Sequence, residues 1–366
     1  MALPRRKYVK EGEVGVYHCF SRCVRRAFLC GFDSVTQRDF SHRKIWIVDK
    51  LRELAAIFAI EVCAYAVMEN HDHTILRTRP DIVATWSDHE VATRWLTLFP
   101  HHDGLQGDDG PPDEKQISAL ADCTDRIAEL RKRLSSLSWF MGRLNESIAR
   151  AANKEDGVKG RFWESRFKCL ALLDEAAIAA CMVYVDLNPI RAGLASTPED
   201  SDFTSIQERI RAWARETMTA RPISGDQAIQ SSPCDLDTPE LEVTADNANP
   251  INSLDASSTD WLCPIQSDSD HQGLLQMTAT QYFDLVDRSG RILRSGKRGA
   301  IDADLAPILL RIGVNPEAWI DTVTRFESRF RLAAGVLSSL RNFAGQIGRR
   351  WLTGVSAART AFAASP

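Results

Sequence analysis

One stretch of the chain has the composition of a linker and divides the rest into two parts. Between Pro222 and Asp270 there is no Lys or Arg, whereas Asp and Glu together number 10. The stretch is rich in Ser, Asp, Asn and Pro and lacks helical periodicity, which is typical of segments that cannot bury enough apolar surface to fold. We therefore expect a domain over 1–216, an acidic disordered linker over 217–272 and a mainly helical region over 273–366 of unassigned role.

The charge is unevenly distributed along the chain. The whole chain has a net charge of −4, and the acidic stretch contributes −10, so the remainder carries +6. Because the negative charge is concentrated in one stretch, the negative net charge of the whole chain does not argue against nucleic-acid binding. A hydrophobic content of 44% without an apolar run of transmembrane length predicts a cytoplasmic protein that does not enter membranes. The nine scattered cysteines then predict reduced thiols rather than disulfides.

Strand and helix patterns alternate in the first part. Residues 14–23, 61–68 and 71–77 read as strands, and residues 42–60 have helical apolar spacing. Glu69 and Asn70 form a turn between the last two strands. Residues 81–137 read as a helical insertion with an N-cap at Ser87, and Asp174 is the expected N-cap of a helix that runs towards Asn188.

Two histidines occur one residue apart in the strand "HDHTILR". Because side chains alternate along a strand, His71 and His73 face one way and Asp72 faces the other. Two neutral imidazoles on one face are suitable ligands for a divalent metal. The pair alone is a weak signal, since such pairs also occur by chance.

A tyrosine and an asparagine strengthen the metal interpretation. In "YVDLNPIRAG", Tyr184 precedes Asn188 by four residues, a spacing that places both on one helix face. That face would present a phenol nucleophile together with an amide oxygen, which is a hard metal ligand. A metal that polarises a phosphodiester would make attack by the phenol feasible.

Four blocks of the sequence, in this order, resemble the REP-associated tyrosine transposases, which are single-tyrosine HUH (His-hydrophobic-His) transposases. The blocks are "YHCFSRCVRRAFLCG", "YAVMENHDH", "GRFWESRFKCLALLDE" and "YVDLNPIRAGL", and the resemblance covers about residues 8–200, interrupted by the insertion. It implies an α+β domain with an antiparallel sheet, similar to a ferredoxin or RNA-recognition fold. It also implies Mg²⁺ or Mn²⁺ on His71 and His73, with Asn188 as a third ligand.

The resemblance further implies what the enzyme would do. Tyr184 would attack single-stranded DNA beside an imperfect hairpin and form a 5′-phosphotyrosine with a free 3′-OH, making the protein an endonuclease and strand transferase. Relatives assemble their sites within one chain or across two, so both a monomer and a homodimer are expected forms.

One residue departs from the family pattern. The middle position of the histidine motif is hydrophobic in the family, and here it is Asp72. A carboxylate that packs against the other face of the sheet costs several kcal/mol unless it is paired or protonated. A DNA-binding protein that has lost cleavage is therefore the alternative function, and a metal-dependent hydrolase without a covalent intermediate is a third.

Basic residues near these motifs are candidate phosphate contacts, although a solvated basic face is the alternative. They are Arg22, Arg25, Arg26, Arg77, Arg161, Arg166 and Lys168. Trp163 is expected in the core. His18, Cys19 and Cys23 lack a second pair at zinc-finger spacing and do not predict a zinc site. The segment "RSGRILRSGKRG" over 288–299 reads as an extended or turned basic loop, either a DNA contact or a solvated loop.

Overall fold

A computed structural model describes residues 4–24, 30–33, 37–99, 112–219, 261–267, 272–295, 309–310 and 314–362. The fold is mixed: a five-stranded, mostly antiparallel sheet has helices packed against it. The expected α+β class is confirmed, whereas the finer likeness to a ferredoxin or RNA-recognition fold stays a prediction.

The main sheet is built around a central strand. Its members are β1 (Gly15–Arg22), β4 (Ile60–Val67), β5 (His71–Thr78), β6 (Lys168–Leu172) and β7 (Ala333–Ala334), while β2 (Phe32–Asp33) and β3 (Arg38–Asp39) pair separately. The order is β4-β5-β1-β6-β7, with only β6 and β7 parallel. β4 and β5 are the arms of the predicted hairpin, whose turn contains Glu69 and Asn70.

The helices pack on both faces of this sheet. In chain order they are α1 (Arg43–Ile57), α2 (Pro80–Thr85), α3 (Asp88–Leu98), α4 (Glu114–Ala121), α5 (Thr124–Leu134), α6 (Leu137–Asp156), α7 (Glu175–Asp186), α8 (Asn188–Arg191), α9 (Ser205–Thr219), α10 (Ala279–Ser295), α11 (Trp319–Arg329), α12 (Leu337–Gln346) and α13 (Val355–Ala361). On one face Thr74 of β5 contacts Met141 of α6, and α6 packs on α1. α7 covers the other face. Among the described helices none is long and apolar enough to cross a bilayer.

The two predicted helix caps are present. Ser87 accepts a hydrogen bond from the Glu90 amide at 3.0 Å, and Asp174 accepts one from the Ala177 amide at 3.1 Å. Ser87 opens α3 inside the predicted insertion, whose described residues form α2 to α5 and pack together. Asp174 opens α7. Its second oxygen accepts from the Val336 amide at 2.7 Å, which joins the start of α7 to the C-terminal region.

The described residues of the C-terminal region pack onto the core of the first part of the chain. β7 extends the main sheet, α10 and α11 pack against α7, and Tyr282 of α10 donates a hydrogen bond to the buried Asp186. The physical reason is that α7 is apolar on nearly all sides and needs cover opposite the sheet. Within 288–299 the expected extended loop is wrong for residues 288–295, which belong to α10.

The expected linker is too long at both ends. At its start, α9 continues to Thr219. Near its end, Leu262 pairs with Val62 at the edge of β4, and the Cys263 amide donates to the Val62 carbonyl at 2.8 Å. Leu262, Cys263 and Ile265 are buried, because this short apolar segment covers a strand edge that would otherwise leave its backbone unpaired.

The double role of Asp174 gives a stability prediction. Asp174→Ala removes a helix cap and the bond to Val336, so we expect it to lower the free energy of unfolding by about 2–3 kcal/mol. Ser87→Ala removes a cap alone and is the matched control, with an expected loss of about 1 kcal/mol. Urea unfolding followed by circular dichroism measures both. Equal losses in the two variants would show that the Val336 contact contributes nothing.

Candidate functional site

The two histidines of the strand motif lie together on one face of β5. Their ring centroids are 4.9 Å apart, at an interplanar angle of 87°. His73 is buried and His71 is half-buried, so the pair leads from the interior to the surface. The Asn70 Oδ1 atom lies 2.6 Å from His71 Nδ1. Because a carbonyl oxygen only accepts, His71 Nδ1 carries the proton and Nε2 keeps its lone pair.

A third histidine, which the sequence reasoning set aside, completes this cluster. His18 of β1 is buried, its ring is stacked 5.1 Å from that of His73, and its Nε2 lies 3.0 Å from His73 Nδ1. When His73 Nδ1 donates the shared proton, His73 Nε2 has a free lone pair. His18 thus holds the ring of His73 from the neighbouring strand, as outer partners of metal-binding histidines do.

All three rings are electrically neutral at physiological pH. Burial lowers the pKa of His18 to about 4, and burial together with Arg22 lowers the pKa of His71 to about 4. The pKa of His73 lies well below its usual value, because the ring is buried and two other imidazoles are close. Neutral imidazole is the form that coordinates a metal.

The candidate nucleophile reaches this cluster from α7. The Tyr184 ring meets the rings of His73 and His18 edge-on, with centroids 5.7 Å and 6.1 Å away. Its hydroxyl donates a hydrogen bond to Glu327 Oε2 at 2.9 Å. Burial, and then Glu327, raise the pKa of Tyr184, while the Arg191 guanidinium 4.6 Å from the ring centroid opposes that rise.

Asn188 lies beside Tyr184, although one helix does not connect them. α7 ends at Asp186, and Asn188 begins the short α8. The Asn188 Nδ2 atom donates to the Tyr184 carbonyl at 3.3 Å, so its Oδ1 is the atom that it can offer to a metal.

The residues present fit a divalent cation. They offer two neutral imidazole nitrogens and one amide oxygen. These ligands bind Mg²⁺ or Mn²⁺ more weakly than carboxylate ligands do. In the part of the chain that the structure describes, no three His, Cys, Asp or Glu side chains form a group that could hold a metal ion. Coordination would therefore depend on Asn188 and on oxygens of water or substrate.

Asp72 lies on the opposite side of the strand, where the alternation predicts it. Its carboxyl group is buried, and within the described part of the chain neither oxygen has a hydrogen-bond partner. Burial raises its pKa to about 7. Among the described residues no basic side chain pairs with Asp72, and protonation would lower the cost of burying its carboxyl group.

The predicted basic residues have different surroundings. Arg22 is paired with His71 across β1 and β5, and Lys168 extends over the Phe20 ring at 4.7 Å, so both lie at the histidine end of the sheet. Arg22, Lys168, Arg161 and Arg166 are exposed. Arg25 and Arg26 lie outside the described residues.

Arg77 differs from the expectation that it faces DNA. It is buried, forms an ion pair with Glu61 and donates to the Gln272 and Gly273 carbonyls at 2.6 and 3.2 Å. It also lies six residues from His71, roughly 20 Å along the strand. Its guanidinium is committed to holding the chain around residue 272 against the sheet, so Arg77 is excluded from the candidate DNA surface.

Sequence reasoning missed three members of the site. His18 and Phe20 are two residues apart in the strand "YHCFSR", so the alternation of side chains already indicated that they share one face of β1. Arg191 follows Asn188 in the same motif. Glu327 had no local signal, because it lies 143 residues from Tyr184 along the chain.

Comparisons with known proteins give one distant likeness. No protein-family model matches the chain, and no curated protein matches it. The chain is similar to a solved structure of a REP-associated tyrosine transposase bound to a REP hairpin, with 16% identity and a TM-score of 0.31. The match covers 65% of this chain and 100% of that chain. A likeness at this level does not assign the chain to a family.

Asp72 gives a prediction for stability against pH. Its pKa is 3.8 when solvated and about 7 in the fold, so the unfolded chain releases this proton first as the pH rises. The contribution of Asp72 to stability should therefore fall between about pH 4 and pH 7 and stay low above that, a loss of about 4 kcal/mol. Asp72→Leu should remove this loss.

The measurement is urea unfolding of both proteins in EDTA at several pH values. We expect the two free energies of unfolding to diverge as the pH rises, with the Leu variant more stable at pH 8. Parallel curves would contradict an unpaired buried carboxylate.

Proposed function

We propose that the chain is a transposase-like enzyme that cleaves and joins single-stranded or hairpin DNA through a covalent phosphotyrosine intermediate. The observation that supports this most is the contact of Tyr184 with His73, inside a cluster of three neutral imidazoles. A tyrosine, two histidines with available nitrogens and an amide oxygen are the groups that such a reaction needs. The ordered sequence blocks around them support the same function.

The reaction exchanges one phosphate ester for another. Tyr184 Oη attacks the phosphorus, the bond from phosphorus to the 3′ oxygen breaks, and a 5′-phosphotyrosine and a free 3′-OH result. Because the ester is conserved, attack by a 3′-OH in the reverse direction joins strands without another energy source. The phenol has a usual pKa of about 10 and needs help to act as a nucleophile.

His71, His73 and Asn188 are the residues that would hold Mg²⁺ or Mn²⁺. When bound, the ion would polarise the phosphodiester and stabilise the charge that develops on it. His18 would keep the ring of His73 in the required orientation and tautomer.

The DNA would approach the histidine end of the sheet. Arg22 and Lys168 are exposed there, and Phe20 presents a partly exposed ring 5.7 Å from the His73 ring centroid. Arg161 and Arg166 are exposed and precede β6 in the chain. Charged side chains bind the backbone and an aromatic ring can stack on a base, which suits single-stranded DNA. Arg25 and Arg26 stay predicted contacts.

Asp72 favours a second function, that of a hairpin-binding protein without cleavage. If the buried Asp72 is ionised, it would displace His71 and His73, which flank it on β5. In that case the basic surface would act alone, and the protein would bind DNA as a repressor or structural factor.

Covalent capture separates these functions. Hairpin single-stranded DNA from repeats that flank the gene is labelled at its 3′ end, because the intermediate retains the 5′ phosphate of the downstream fragment. With Mn²⁺ or Mg²⁺ we expect a protein–DNA band on a denaturing gel, abolished by Tyr184→Phe and by chelator. Tyr65→Phe is the matched control, since Tyr65 is also buried and donates to a glutamate, Glu208, at 2.7 Å.

Each other result has a clear meaning. DNA binding without a covalent band, restored by Asp72→Leu, supports the DNA-binding protein. Cleavage by Tyr184→Phe with no covalent band supports a hydrolase that uses metal-bound water, and refutes the tyrosine reaction.

A metal-binding measurement, which needs no activity assay, tests the role of His18 in orienting His73. His18→Phe keeps a ring but removes the bond to His73, so we expect Mn²⁺ affinity to fall about tenfold or more. Titration followed by electron paramagnetic resonance measures the free ion. Tyr17→Phe, at the adjacent position on the other face, should bind Mn²⁺ as the natural chain does; unchanged affinity in His18→Phe would refute this role.

A further inference from the structure

A carboxylate from the C-terminal region lies next to Tyr184 Oη, which is the atom that would react. Glu327 of α11 accepts the hydrogen bond from Tyr184 Oη at 2.9 Å, within the distance over which a proton passes directly. Phe326 holds α11 in place, with its ring centroid 6.0 Å from that of Tyr184 and 5.1 Å from that of Phe330.

We propose that Glu327 is the general base of the tyrosine reaction, taking the Oη proton as the bond to phosphorus forms. This rests on the proposed function and adds to it the group that activates the nucleophile. A nucleophile and a base within hydrogen-bond reach are the usual signature of covalent catalysis.

The other groups around Tyr184 are less suited to this role. His73 and His18 share a proton with each other, and His73 Nε2 is the atom expected to bind metal. The Arg191 guanidinium, which lies over the Tyr184 ring, is always protonated and cannot accept a proton. It instead stabilises the negative charge that develops on Oη. Glu327 is partly exposed, so the proton can pass on to water.

The proton balance is complete in both directions. In cleavage, the Oη–P bond forms, the P–O3′ bond breaks, the Oη proton moves to Glu327 Oε2, and the departing 3′ oxygen takes a proton from water. In joining, the 3′-OH loses its proton to water, and protonated Glu327 returns its proton to Oη. A carboxylate is a much weaker base than a phenolate, so transfer occurs only as the bond to phosphorus makes Oη acidic.

Single-turnover kinetics of adduct formation test this role. Glu327→Gln keeps the size and an acceptor oxygen but cannot take the proton, so we expect adduct formation to slow by about 10²–10⁴-fold. Hairpin affinity and thermal unfolding should stay as in the natural chain. Glu327→Asp should recover part of the rate. The matched control is Glu317→Gln, which removes the same charge from an exposed position before α11.

A pH profile distinguishes a base from a structural contact. Glu327 lies close to Tyr184 and Cys181 of α7, and Arg191 of α8 lies over the Tyr184 ring. The rate of adduct formation by the natural chain should fall at acidic pH, and Glu327→Gln should lack this acidic limb. A slower variant that keeps the limb would show only a packing role and would overturn the proposal.

Two other outcomes also overturn it. A faster Glu327→Gln would mean that α11 locks the tyrosine rather than activating it, and an unchanged rate would mean that Glu327 takes no part. If the natural chain forms no adduct, the proposed function fails, which this experiment reports separately from a failure of Glu327 alone.

Discussion

The burial of α7 on all sides is the constraint on which this structure depends. Ten of its twelve residues, from Ala176 to Asp186, are buried, so the helix needs apolar partners both towards the sheet and away from it. The N-terminal sheet supplies one side, and α10 and α11 supply the other. The C-terminal region is therefore required to complete the core, and its packing brings Glu327 to Tyr184.

Local elements were predictable from the sequence, and their assembly was not. Strand alternation placed His71 and His73 together, and Ser87 and Asp174 marked the starts of helices, because these features depend on neighbouring residues alone. Arg77 was predicted as a phosphate contact because the carbonyl groups that bind it, near residue 272, are distant in sequence. The unbroken apolar run of α7 was the one local signal that cover from elsewhere was needed.

Two buried ionisable side chains of the histidine strand, Arg77 and Asp72, have opposite surroundings. Arg77 has an ion pair and two carbonyl acceptors, so its burial is compensated. Among the described residues Asp72 has no partner for either oxygen, and protonation would lower the cost of its burial. The strand that carries the histidines therefore has an ion-paired arginine near one end and a carboxyl group without a described partner near the other, beside the candidate metal ligands.

Both edges of the sheet carry short C-terminal segments. Leu262 pairs with Val62 at the β4 edge, and Ala333 and Ala334 extend the sheet beyond β6. The backbone groups that they occupy cannot accept a strand from another molecule, which is the usual route by which exposed sheets aggregate or extend. A second copy of this chain therefore cannot pair a strand at these positions of β4 and β6.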